Sequence, residues 1–475
     1  MPTLIPVVVP NPARLVLPPV RWRADSGFSH ELAGARAALD LGVGGFIVFG
    51  GTIDSVRDFI RGLVVYAGRP LLIGADLERG AGQQVEGLTE FPPPGALGAL
   101  GDLAAVHTAG STTGAEARSV GINWIFAPVA DLDIEPSNPI VQSRSFGHDA
   151  GLVARCVGEW VEGCQEGGAL ACVKHYPGHG RTTTDSHAGL PLVSASFDAL
   201  ELDLLPFREA VKRGVASVMT AHVAYASLDP SGTPATYSAP ILQRLRATGF
   251  DGLIVTDAMI MEGAKRGSEA DAAVEMLRAG VDILLYPQNV ATVVAGLKDG
   301  VAKGLLSAQR LDASLRRYET ALFSASQPAA HPPVAHIRSA EIADRLVERG
   351  MLRGPRPAFR LPLDLTIIDD DVGGPFPPNP GVLVPTELAA KGAAVGMGGS
   401  RIVLAYAEPR GWKSRAGFSE AAARRLVERA PGADMVVLFG HPRLVESIPG
   451  TAPVLVAWHR QRLMQEAVAR WLVRV

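Results

Sequence analysis

Short, uninterrupted apolar runs alternate with amphipathic segments along the first two thirds of the chain, and this alternation constrains the fold more than anything else. The runs fall at residues 4–9, 45–49, 70–75, 123–127, 169–173, 216–220, 252–256 and 281–285. Between them, segments such as 153–166, 199–213, 241–248 and 269–279 carry apolar residues at helical spacing. Strands apolar at every position are buried on both faces, as in a parallel sheet whose crossovers are helices. Eight of them over about 320 residues predict a (β/α)8 TIM-type barrel. An open doubly wound sheet would carry a Gly-rich fingerprint after its first strand, and none is present.

The 475 residues exceed one ordinary domain. Residues 1–323 are assigned to the barrel. Residues 324–338, rich in Ala and Pro, read as a linker. Residues 339–475 read as a smaller α/β sandwich, with helices at 339–349, 419–428 and 461–474 and apolar runs at 363–368, 402–405, 435–439 and 453–457. None of its residues reads as catalytic, and it is expected to pack against the barrel or to support a homodimer.

With 47% apolar and 20% charged residues the chain has ample core material. A net charge of -3 gives no reason to expect nucleic acid or an anionic membrane as partner. Cys156, Cys164 and Cys172 are odd in number and form no C-x-x-C pair, so buried, inert thiols in a reducing compartment are expected. The first twenty residues are apolar but broken by prolines and lack a basic leader, and no run long enough to span a membrane occurs. A cytoplasmic location is the expectation.

Polar residues collect where the predicted strands end, which is where barrels keep their chemistry. Asp76 to Arg79 follow one strand, and Asp131, Asp133 and Arg144 follow another. Lys174-His175 and a long loop to Asp185-Ser186-His187 follow a third, Thr220-Ala221-His222 a fourth, and Thr256-Asp257 a fifth. Asp257 ends a strand with nothing polar in it. It reads equally as an N-cap for a helix starting near Met259 or as a nucleophile or stabiliser of a cationic transition state. Asp185 and His187, two apart in an extended loop, share one side of the chain. The carboxylate can then fix the imidazole tautomer for acid/base work near neutrality; the plainer alternative is a turn aspartate beside an exposed histidine. Lys174, His175 and Arg144 offer converging donors suited to hydroxyls, an amide carbonyl or an anion.

The motif K-H-Y-P-G-H-G followed by D-S-H, with V-T-D-A-M-I-M downstream, resembles the bacterial β-N-acetylglucosaminidases of glycoside hydrolase family 3. GGFIVFG, GADLERGAGQ, NWIFAPVADLD, SRSFG, SVMTAHV and VVLFGHPRLV extend the resemblance over most of the chain. It implies a barrel bearing the active site with an α/β sandwich behind it, and retaining, exo-acting removal of terminal β-linked N-acetylglucosamine from muropeptide or chitooligosaccharide substrates. Carried over, Asp257 would be the nucleophile and His187, oriented by Asp185, the general acid and then base. Asp76, Arg144, Lys174 and His175 would bind the sugar. No cofactor or metal is implied. A phosphorylase using phosphate in place of water is the alternative within the family. The chain departs from the family's D-x-E-G-G-x-V-x-R pattern: Arg79 stands for a glycine and Gln84 where a sugar-binding arginine is often found.

Two rivals lie outside that class. A metal-dependent hydrolase would place His175, His179, His187 and Asp257 around zinc, but H-x3-H-x7-H is unlike common zinc spacings and Lys174 would repel the cation. A non-catalytic sugar-binding barrel would have lost the dyad or the nucleophile, and both are intact.

Overall fold

The computed structural model describes residues 11–184, 189–327, 338–374, 380–409, 413 and 415–474. The first part of the chain contributes β1 Val16–Leu17, β2 Pro19–Arg21, β3 Gly45–Phe49, β4 Leu72–Ala75, β5 Trp124–Ile125, β6 Leu170–Tyr176, β7 Leu192–Val193, β8 Ser217–Thr220, β9 Ala224–Tyr225, β10 Leu253–Thr256 and β11 Leu284–Leu285. Parallel pairing runs from β2 through β3, β4, β5, β6 and β8 to β10. A Val255–Ile283 bridge joins β10 to the approach of β11, and β11 pairs with β1, so the ring closes as a parallel (β/α)8 barrel. Every residue of β4, β6, β8 and β10 is buried, as strands covered on both faces require, Lys174 and His175 at the end of β6 included. The interior is tight enough that a Cβ on Gly74 would lie 2.5 Å from the Phe126 ring.

The run at 4–9 lies outside the described residues. The first place in the ring belongs to β1 and β2, separated by Pro18, a residue that cannot donate to a ladder. The predicted helix 199–213 is two helices, Phe197–Asp203 and Leu205–Lys212, with Pro206 in the first turn of the second. Helix starts are otherwise sharply specified. Thr52, Asp102, Asp149, Ser196, Ser238, Ser268, Asn289 and Ser307 each accept a first-turn backbone N–H, a cap worth about 1 kcal/mol.

Beyond the helix Ser339–Arg349 come β12 Met351–Arg353, β13 Leu363–Asp369, β14 Ser400–Ala407, β15 Met435–Gly440 and β16 Val454–Val456. The sheet order is β12-β16-β15-β14-β13, parallel except for β12, an antiparallel edge strand with no counterpart among the predicted runs. Helices Ser339–Arg349, Val384–Ala390 and Arg462–Val473 pack together beside this sheet, and one apolar core runs through both units. Polar ties reinforce the junction: Asp133 accepts from His441 at 3.0 Å and from Arg443 at 2.6 Å, Arg345 pairs with Asp102 at 2.7 Å, and Gln461 donates to the Phe91 carbonyl at 2.7 Å.

Candidate active site

A cavity of about 550 Å³ opens at the C-terminal ends of the barrel strands, and its walls include Asp76, Arg144, Lys174, His175 and Asp257. These five sequence-predicted residues therefore share one pocket. Asp185 and His187 lie outside the described residues, but the segments on either side of them are anchored at this face. Arg181 pairs with Asp203 at 2.6 Å, the Tyr225 hydroxyl donates to the Gly178 carbonyl at 2.7 Å, and β7 pairs with β9.

Asp257 follows β10 directly, and its side chain is 21% exposed. It accepts from the Ala258 N–H at 2.7 Å. It caps no α-helix, because the next one, Glu269–Ala279, uses Ser268. Relieved of that structural duty, the carboxylate faces the cavity.

Opposite it stands a chain of alternating charges. Lys174 Nζ lies 2.7 Å from both Asp76 and Glu78, and Arg144 grips Glu78 with two hydrogen bonds of 2.7 and 2.9 Å. Burial by itself would raise the Glu78 carboxyl, but the Arg144 and Lys174 cations outweigh it and hold the group well below the usual carboxylate range. Lys174 is pushed above its ordinary value by Asp76 and Glu78 although its burial acts the other way. A donor array fixed in this manner can receive hydroxyl groups without reorganising.

Asp131, fully buried, organises the Lys174–His179 turn. It accepts from His175 Nδ1 at 2.7 Å and from the backbone N–H groups of His175 and His179 at 3.1 and 2.7 Å. Burial would raise its carboxyl; the His175 and His179 contacts bring it below the ordinary range. With Nδ1 committed to Asp131, His175 turns Nε2 toward Asp257, 4.0 Å away. His179 is fully buried with Nδ1 2.7 Å from the Thr182 hydroxyl, and burial drives it down to about 4. Phe49 and Tyr286 also line the cavity, their ring centroids 5.8 Å apart, with the Arg21 guanidinium over Phe49 at 4.2 Å.

His187 of the zinc arrangement lies outside the described residues; among the described residues no group of three or more His, Cys, Asp or Glu side chains could hold a metal ion. Cys156, Cys164 and Cys172 are free and buried, and burial pushes their thiols up. No described helix is long and apolar enough to cross a membrane. Gln84, in the expected place of an arginine, accepts from the Gly50 N–H at 3.0 Å and so braces a neighbouring loop.

From the sequence, Glu78 and Asp131 stand out only as polar residues at strand ends and His179 only as a ligand in the zinc alternative; none of the three is given a part in the glycosidase site there. Glu408, Pro409 and His459 of the second domain also line the cavity; nothing in their local sequence marks them.

Residues 31–321 match the model of the glycosyl hydrolase family 3 N terminal domain. The chain is 32% identical over 290 residues to a "Beta-N-acetylglucosaminidase/beta-glucosidase" of Cellulomonas fimi, covering 58% of this chain and 51% of that protein. It is 36% identical over 278 residues to "Beta-hexosaminidase A" of Pseudoalteromonas piscicida, covering 52% and 46%. It thus spans about half the length of these two curated relatives. Among solved structures, a family 3 β-N-acetylglucosaminidase from Paenibacillus sp. str. FPU-7 superimposes with a TM-score of 0.84 at 27% identity, covering 98% of this chain and 96% of the other. With a closed parallel barrel, polar residues gathered at its strand ends and a family match over most of that barrel, the chain belongs to glycosyl hydrolase family 3.

Proposed function

We propose that the protein is a retaining exo-β-N-acetylglucosaminidase that removes terminal β-linked N-acetylglucosamine through a covalent glycosyl–Asp257 intermediate. The observation that carries the reading is the Asp257 carboxylate, released from helix capping, part-exposed in a cavity whose other wall is the Asp76–Lys174–Glu78–Arg144 array. The names of the curated relatives and the Paenibacillus structure favour the same substrate class.

In the first step an Asp257 oxygen attacks the anomeric carbon as the bond to the leaving oxygen breaks. His187, oriented by Asp185, gives that oxygen a proton. In the second step water attacks the anomeric carbon, His187 takes the water proton, and the Asp257 ester is released as carboxylate. Asp76, Arg144, Lys174 and His175 hold the sugar hydroxyls and the acetamido group. His175 also lines the pocket beside Asp257, its Nε2 4.0 Å from that carboxylate.

The test is to incubate the protein with N,N'-diacetylchitobiose and with an anhydromuropeptide, with and without phosphate, and to weigh the products. Free N-acetylglucosamine in both conditions supports the hydrolase; a sugar 1-phosphate formed only with phosphate replaces it with the phosphorylase. No product from either substrate contradicts the assignment.

A further inference from the structure

Arg79, one of the residues that depart from the family pattern, reaches across to the second domain. Its Nη1 donates to Gln461 Oε1 at 3.2 Å and lies 3.2 Å from His459 Nδ1. The same His459 nitrogen also faces the Gln461 backbone N–H at 3.1 Å. Arg79 and that N–H can only donate. Nδ1 must therefore carry the lone pair, which leaves the proton on Nε2. Nε2 lies 3.1 Å from Glu408 Oε1 and donates to it.

Glu408 is fixed from other sides as well. Oε1 accepts from the Arg460 N–H at 2.7 Å, the Glu408 N–H donates to Asp371 at 2.9 Å, and the Glu408 carbonyl accepts from Lys413 Nζ at 2.9 Å. Arg460, fully buried, is clamped between Asp369 and Asp371 at 3.0 and 2.7 Å. Buried charges of this kind are a weak source of stability, since desolvation offsets most of their attraction. Here they serve as a rigid mount for two side chains, Glu408 and His459, that line the cavity containing Asp257.

We propose that Glu408, oriented by His459 and tethered through Arg79, is a substrate-binding carboxylate that the second domain contributes to the active site, accepting a hydroxyl of the terminal sugar. The second domain then helps to select the sugar, and Arg79 is the positioning residue that holds its wall against the barrel. This rests on the glycosidase reading of the same cavity.

The experiment compares wild type, Glu408→Gln and Arg79→Gly on an aryl β-N-acetylglucosaminide, with thermal midpoints measured alongside. In Glu408→Gln the amide oxygen can still accept from His459 and Arg460, but an NH2 replaces the second oxygen, so a hydroxyl proton is no longer accepted there. The expected result is a KM raised about tenfold with kcat within about threefold and an unchanged midpoint, the pattern of a lost charge-assisted hydrogen bond used for binding. Arg79→Gly, on a barrel loop, should raise KM about threefold in the same way. A KM unchanged in both variants, or a loss confined to kcat, beside an active wild type overturns this proposal and leaves the activity standing. An inactive wild type overturns both.

Discussion

His175 bridges two aspartates: its Nδ1 is 2.7 Å from the fully buried Asp131 and its Nε2 is 4.0 Å from Asp257. The buried carboxylate fixes the ring, and the ring faces Asp257. Asp257 lines the cavity with its side chain 21% exposed, so its replacement should spare the fold. Asp257→Ala should lower kcat on an aryl β-N-acetylglucosaminide at least a thousandfold, about 4 kcal/mol of barrier, with a thermal midpoint close to wild type. Steady-state kinetics paired with a melting curve checks both halves.

His187→Ala isolates proton donation. A leaving group such as N-acetylglucosamine needs a proton to depart, whereas dinitrophenolate does not. Turnover of diacetylchitobiose should therefore fall by about 10²–10⁴-fold, and that of the dinitrophenyl glycoside far less. Equal losses on both substrates would count against His187 as the acid.

Glu78 sits between two cations, so Glu78→Gln leaves Lys174 and Arg144 short of negative charge in a largely buried place. A fully buried pair broken in this way costs about 3–5 kcal/mol. Arg144 is 31% exposed and Lys174 keeps Asp76, which reduces the expected loss to about 2 kcal/mol. Asp76→Asn, at a side chain 34% exposed, should raise KM with a smaller effect on stability. Urea unfolding of both variants separates the two.

The buried His179 gives stability a defined acid limb. Its ordinary value is 6.5 and burial takes it to about 4 in the folded protein. Below 6.5 the unfolded chain binds a proton that the folded chain refuses, so stability is fully present above 6.5 and drains away as pH falls toward 4. His222, also lowered by burial, acts in the same direction. Between pH 7 and pH 5 the His179 share is about 2 kcal/mol. Urea midpoints at the two pH values should differ accordingly, and His179→Gln should shrink the difference.

Much of the barrel was legible because a parallel strand buried on both faces has few polar positions before its C-terminal end. The 252–256 run and β10, or the 45–49 run and β3, differ by a residue at most. The strand that opens the ring was hidden: Pro18 divides it into two pieces, of two and three residues, too short to show a period. At the site, Asp76, Lys174, His175 and Asp257 were legible because each stands where an apolar run stops, and Arg144 because it lies in the loop that follows the 123–127 run. Glu408 and His459 were not. They too follow strands of their own sheet, but only tertiary docking brings those strand ends to the mouth of the barrel.

The most direct test of the central claim is to trap the intermediate. A 5-fluoro N-acetylglucosaminide with a good leaving group slows both steps, and the leaving group still lets the first proceed. Mass spectrometry of the digested protein should find one glycosyl adduct on the peptide containing Asp257, absent from Asp257→Ala. An adduct on another residue, or rapid turnover with no adduct and an inverted anomeric product, would contradict the account.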